Sequence, residues 1–280
     1  MPPEPERAAP AFGLIVIGDE ILSGKRADKH MPKWIELLGE RGLQLAWADY
    51  VGDDPARITA ALRRAFASGD VVMSCGGIGA TPDDHTRQCA AAALGVPLAL
   101  HPQAKALIQE RMQDTAREKG LPYEPERADN VQRLKMGLFP EGARIIPNPY
   151  NKIPGFSMLG PHGGGVHFVP GFPVMAWPMM GWVLDTYCRA HFRRRAWREK
   201  SVIVFAAMEA ALTPAMEQVE AAHPRVKVFS LPSVDHPQYG HHIELGVKGP
   251  ADAVPPAYDD LRQRLAPMNL RYGPELVRDI

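Results

Sequence analysis

DVVMSCGGIGATPDDHTR, the stretch from Asp70 to Arg87, decides how the rest of the chain folds. Val71, Val72 and Met73 form a short apolar run rich in β-branched residues, which predicts a buried strand. Ser74-Cys75-Gly76-Gly77-Ile78-Gly79 ends that run. Thr81-Pro82-Asp83-Asp84 then reads as a helix start, with Thr81 at the N-cap, Pro82 at the first helical position and Asp84 three residues past the cap. Glycines in such a turn let the backbone approach a ligand closely, and a helix start adds unpaired N–H groups and partial positive charge. Strand, glycine turn and helix start in immediate succession predict an anion site, with phosphate as the expected anion.

Upstream, Phe12 to Ile17 is another continuous apolar strand and runs into Gly18-Asp19-Glu20. Met31, Trp34, Ile35 and Leu38 recur at helical spacing with Pro32 in the first turn and Gly42 as the stop. Leu43 to Val51 reads as a strand. Asp54-Pro55 opens a helix that buries Ile58, Leu62 and Phe66 and closes at Ser68-Gly69. Alternating strands and helices favour a parallel sheet with helices on both faces. Ligands of such sheets bind beyond the carboxyl ends of the strands, so the loops carrying Asp19 and Gly76 to Gly79 face one crevice if their strands are neighbours.

Downstream, helices are expected over 103–119 and 126–135, and the prolines between Pro147 and Pro154 predict an ordered loop. Strands follow at 156–159 and 166–169. Pro170-Gly171-Phe172-Pro173 then forms a second glycine-containing turn ahead of a helix reaching about Phe192, its Met175, Met179, Met180 and Trp182 read as core packing. The charge run from Arg193 to Lys200 suggests a boundary, after which the order strand, helix, strand, strand, helix predicts a small α+β domain. The expected fold class is thus α/β: a three-layer sandwich with a mostly parallel sheet over residues 11–195, then a small α+β domain over 200–280.

The chain has 280 residues, with 32 Lys and Arg against 32 Asp and Glu. That balance leaves no electrostatic footprint for nucleic acid or an anionic membrane, and no run approaches the roughly 20 apolar residues of a membrane span. The three cysteines match neither a disulfide framework nor a zinc ribbon, so a cytoplasmic home is expected, with residues 1–10 a disordered tail. Cys75 reads as a packing residue. His85 and His162 lie near the expected crevice, whereas His241 and His242 are adjacent in a strand, face opposite sides and make a poor metal pair with His236.

Several motifs in order resemble a known family: Gly18 to Gly24 (GDEILSG), Gly76 to Thr86 (GGIGATPDDHT), Asn148-Pro149 with Pro154-Gly155-Phe156, and Pro170-Gly171-Phe172-Pro173. Together they resemble the molybdopterin-binding domain of molybdenum cofactor biosynthesis (MoaB/Mog-like), in the version found in the competence/damage-inducible protein A (CinA) family. The resemblance covers about residues 11–195. The segment 200–280 resembles the small domain that follows in that family and in eukaryotic FAD synthases, and the C-terminal deamidase domain of many members has no counterpart in the sequence.

The resemblance implies a phosphorylated pterin or nucleotide as ligand, and for the competence-type relatives metal-dependent hydrolysis of a pyrophosphate. Asp19 and Asp84 fall where the family places its acidic residues. Two positions depart from it: Val174-Met175 stand where a basic-acidic pair is usual, and Asn151 where a glycine is usual. Two readings therefore stay open, a nucleotide pyrophosphatase or cofactor-biosynthesis enzyme, and a binding module without activity. Relatives associate as homo-oligomers, and no nucleic-acid or membrane partner is expected.

Pyrophosphate chemistry needs charge neutralisation and placement more than covalent help. Gly76, Gly77 and Gly79 would offer backbone N–H donors, Thr81 and Thr86 hydroxyls, with Asn148 and Gly171 completing the phosphate or pterin contacts. Asp19 and Asp84 are expected to share a divalent metal such as Mg²⁺, because two carboxylates beside a polyanion repel it unless a cation bridges them.

Overall fold

The computed structural model describes residues 10–160, 164–192 and 197–279. Residues 1–9, His162 and the Arg193-Arg194-Arg195 run, on which some sequence expectations fall, lie outside the described residues. The chain divides into two units, Met1–Phe192 and Arg193–Ile280.

The first unit is built on a six-stranded sheet in the order β2-β1-β3-β8-β7-β6. The strands are β1 (Phe12–Ile17), β2 (Leu45–Val51), β3 (Val71–Cys75), β6 (Arg144–Ile146), β7 (Gly155–Leu159) and β8 (Gly165–Val169). β2, β1, β3 and β8 pair in parallel, while β7 runs antiparallel to both of its neighbours. Strand β3 is buried throughout, because alternate side chains feed two different cores. Phe12, Leu14, Val16, Val71 and Met73 join α2 (His30–Gly39) and α7 (Pro173–Tyr187) on one side. Ile15, Ile17 and Val72 join α3 (Pro55–Ser68), α4 (Thr86–Leu94) and α5 (Pro102–Glu118) on the other. Helix, sheet and helix make the expected three layers.

Caps set where these helices begin. Asp54 accepts the Arg57 N–H at 2.8 Å ahead of Pro55, and Gly69 ends α3 at φ 76°, as the Asp-Pro and Ser-Gly pairs predict. At α2 the cap is Asp28, whose two oxygens accept from His30 N at 2.8 Å and Met31 N at 3.0 Å. Helix α4 departs from expectation: it starts at Thr86, not after Thr81. Asp84 Oδ2 does accept from Thr81 N, half of a capping box, but Asp84 N then donates to the Thr81 carbonyl and closes an isolated turn. Helix α6 (Ala128–Leu134) falls within the expected 126–135, and four short elements were not expected from the sequence: α1 (Asp19–Leu22), the β4 (Leu98–Leu100) and β5 (Leu138–Pro140) pair, and β6.

The second unit is a four-stranded antiparallel sheet, β10-β11-β9-β12, with β9 (Trp197–Phe205), β10 (Lys227–His236), β11 (Gly240–Pro250) and β12 (Arg271–Asp279). Helices α8 (Glu209–Ala222) and α9 (Val254–Leu265) pack on one face through Leu212, Val219, Tyr258 and Leu261 against Val202, Val204, Leu245 and Val247. The final strand adds to the predicted order. Gly273-Pro274 hid it in the sequence, and both residues sit where the register slips between Tyr272 and Glu275, on an edge strand that tolerates proline.

Candidate functional site

Four parallel strands end side by side, and their registers bring four loops to one sheet edge. Val16 pairs with Cys75 and Cys75 with Val169, so the chain after β1 (Gly18), β3 (Gly76) and β8 (Pro170-Gly171) emerges together. Ile17 pairs with Val51, and Gly18 N–H donates to the Val51 carbonyl at 3.0 Å, which adds the Gly52-Asp53 loop. The crowding excludes side chains at Gly76 and Gly77 but leaves room for one at Gly171. A Cβ on Gly76 (φ 105°) would strike the Ile17 carbonyl, one on Gly77 (φ 67°) the Thr86 hydroxyl, and one on Gly171 would lie 3.5 Å from the Gly76 Cα.

A set of internal bonds shapes the Gly76–Thr81 turn. Thr86 N–H donates to Gly77 O at 3.0 Å and its hydroxyl to Gly76 O at 3.1 Å. Asp84 accepts from Gly79 N at 2.8 Å and from both the N–H and the hydroxyl of Thr81. Arg87, only 5% exposed, donates from beneath to the carbonyls of Ile78 and Gly79. Burial holds its pKa below the usual value, with Asp84 as the opposing influence. The carbonyls of Gly76 to Gly79 and the amides of Gly79 and Thr81 are consumed in this way. The N–H groups of Gly77, Ile78 and Ala80 find no acceptor among the described residues.

These three residues line a cleft of about 690 Å³. Its polar lining includes Glu20, Lys25, Arg26, Asp53, Asp83 and Asp84; Ile17, Met136, Ile153, Phe172 and Met175 supply an apolar side. Asp53 Oδ2 accepts the Asp19 N–H at 2.9 Å, and Asp19 Oδ1 accepts the Asp53 N–H at 3.1 Å, which staples the loops after β1 and β2 together. Burial pushes the Asp53 carboxyl up, the Asp19 N–H pulls it down, and the charges of Asp19, Glu20 and Asp83 add to the rise.

Of the residues singled out in the sequence, Gly76, Gly77, Gly79, Thr81, Asp84, Asn148 and Gly171 line this cleft. Thr86 is fully buried beneath the turn and serves as a brace, a correction to its expected contact with ligand. Asn148 is 4% exposed and spends its side chain on its own loop: Nδ2 donates to Asn151 Oδ1 and Ile153 O, and Oδ1 accepts from Tyr150 N. Asp19 does not join Asp84; it lines a separate depression with Tyr50, Gly52, Arg57 and Arg64. Burial drives the Cys75 thiol well above its ordinary value, as suits a packing residue.

The expected metal pair therefore does not fit. Asp84 lines the cleft and Asp19 the separate depression, so the two carboxylates do not face one site. Among the described residues no three His, Cys, Asp or Glu side chains are grouped to hold a metal ion. Sequence reading passed over Asp53, Lys25, Arg26 and Phe172. The signal for Asp53 was its place two residues after the end of β2, the same edge position as Asp19 after β1.

Residues 13–190 match the family model described as "Probable molybdopterin binding domain". A CinA-like protein of Anaeromyxobacter dehalogenans is 36% identical over 162 residues, 58% of this chain and 37% of that protein. The chain thus spans little more than a third of the length of this relative. A protein of Pyrobaculum calidifontis is 29% identical over 248 residues, covering 87% of this chain and 90% of its own. The crystal structure of the protein CinA from Thermoplasma acidophilum, described as of unknown function, has 30% identity and a TM-score of 0.52, over 62% of this chain and 97% of that one. No helix among the described residues is long and apolar enough to cross a membrane.

Proposed function

Because the chain belongs to the molybdopterin-binding domain family, in its CinA-like branch, we propose that the cleft of the first unit binds a phosphorylated pterin or nucleotide through the Gly76–Thr81 turn. One observation carries the reading: Gly77, Ile78 and Ala80 line the cleft with three N–H groups that no described acceptor satisfies. Ile78 is buried, Gly77 partly so and Ala80 exposed, so the Ile78 N–H is the one for which a missing acceptor costs most, and a phosphate oxygen is an acceptor that such a concave turn suits. Lys25 and Arg26 share that lining with Glu20, Asp53, Asp83 and Asp84, so the backbone amides and these two side chains, not the net charge of the cleft, would hold the phosphate.

Binding without hydrolysis is the form of this function the side chains support. Cleavage of a phosphoanhydride calls for a cation to neutralise the developing charge. Asp19 and Asp84 do not meet to hold one, and Met175 lines the cleft at a position where the related motifs carry an acid. There Asn151 donates its amide to the Met175 sulfur at 3.3 Å. Assembly into a homo-oligomer belongs to the same proposal, by likeness to the family.

The test is titration calorimetry with ADP and with a pterin monophosphate, each beside its unphosphorylated counterpart. The phosphorylated compounds should bind and the others should not, and Gly77→Ala should weaken binding at least tenfold in a chain that stays folded by circular dichroism. Equal affinity with and without phosphate overturns the reading. Incubation with ADP-ribose and Mg²⁺ separates the two forms: no AMP is expected, and its steady release would make the protein a pyrophosphatase.

A further inference from the structure

We propose that Phe172 is the residue that selects a ring-bearing ligand over a bare phosphate, by stacking on the ligand's flat heterocycle. This rests on the phosphate reading of the glycine turn and adds a role for the apolar side of the same cleft. Phe172 follows Gly171 in the loop after β8, and both line the same cleft as Gly76 to Thr81. Phe172 is nevertheless 55% exposed. A phenyl ring left that open forgoes much of the roughly 25 cal/mol per Å² that its burial would contribute, and nothing in the packing of α7 requires an aromatic group there.

The neighbours specify what would cover it. The Arg26 guanidinium carbon lies 5.8 Å from the ring centroid, at the outer limit of a cation–π contact, which orients the ring with one side toward the cation. Met175, Met136 and Ile153 extend the apolar lining beyond it. Inorganic phosphate has no surface to set against such a wall. A ligand with an anionic end and a flat aromatic end satisfies both halves of the cleft at once: phosphate on the Gly77, Ile78 and Ala80 amides, ring on Phe172. Val174, also 55% exposed, lies in the first turn of α7 and is absent from the cleft lining, so exposure alone does not mark the site.

The experiment compares inorganic pyrophosphate, ADP and a pterin monophosphate on the full chain and on Phe172→Ala, Phe172→Leu and Phe172→Trp, by calorimetry. Loss of one stacking partner predicts a drop of about tenfold for ADP or the pterin phosphate in Phe172→Ala, with pyrophosphate unchanged within about twofold. Phe172→Leu should resemble Phe172→Ala if stacking and not bulk is at work, and Phe172→Trp should restore affinity. Equal losses for all three ligands, or no loss for the ring-bearing pair, overturns the role of Phe172. So does a wild type that binds neither ring-bearing ligand more tightly than pyrophosphate. Failure of the wild type to bind any of the three overturns the phosphate reading itself, and this role with it.

Discussion

The guanidinium of Arg87 donates to the carbonyl oxygen of Gly79 at 2.7 Å while only 5% of the residue is exposed. A buried cation is thereby placed under the glycine turn, its charge matched to backbone carbonyls and, at longer range, to Asp84. The turn is held from below, and its unpaired amides belong to residues of the cleft lining. Shape at this site comes in part from side chains absent from the cleft lining, Thr86 and Arg87.

Replacing Arg87 with Met tests that support. It strands the Ile78 and Gly79 carbonyls and should lower unfolding free energy by about 1–3 kcal/mol. ADP affinity should fall about tenfold or more, because a turn free to relax no longer presents its amides together. Calorimetry and urea denaturation of the same preparation read both effects. Destabilisation with unchanged affinity would show that Arg87 serves the fold and not the site.

Asp53 predicts how binding depends on pH. Burial raises its folded pKa above the ordinary 3.8, so in mildly acidic solution its carboxyl takes up a proton that the unfolded chain releases. Stability from this group is fully retained below the ordinary value and declines as pH rises through the raised one. The same proton removes a negative charge from a cleft that receives an anion. Asp53→Asn should therefore bind pyrophosphate roughly three- to tenfold more tightly at pH 7, with the advantage shrinking as the buffer is acidified. An unaltered gap across about pH 4–7, where a carboxyl group with a raised pKa titrates, would show that Asp53 keeps no charge beside the ligand.

In the second unit the sign reverses. Glu244 accepts from Arg278 and, at 2.6 Å, from the Ser201 hydroxyl; Arg278 foremost holds its pKa below the usual 4.5, with burial opposing. The stabilisation is present above that ordinary value and is lost as pH falls through the depressed one. Glu244→Gln should cost about 1–2 kcal/mol at pH 7, the range for a partly buried charge-assisted pair, and little once the wild type is protonated. Thermal melts of both chains across the acid range measure it; a cost that persists at low pH would assign the effect to packing.

How much was legible beforehand follows from the range of each interaction. β1, β3 and the Asp54-Pro55 start of α3 depend on apolar runs and caps within a few residues, and they stand where the sequence places them. β12 depends on a partner distant in the chain, and β6, three residues paired with the next strand β7, is too short to declare itself. The start of α4 shows the same division within one motif. Thr81-Pro82-Asp83-Asp84 has the composition of a helix start, yet the Asp84 carboxylate reaches back to Gly79 and the helix waits for Thr86.

By itself the sequence determined the layers, the glycine turn and its place at the carboxyl edge of a parallel sheet, because apolar periodicity and glycine's freedom at positive φ are properties of short segments. Only the tertiary structure decided which acids share the cleft. Asp19 and Asp53 exchange backbone bonds between two loops 34 residues apart, which turns Asp19 to another depression and leaves Asp53 beside the turn. A carboxylate's direction is set by the N–H groups that reach it, and those come from strands whose order and register no local pattern records.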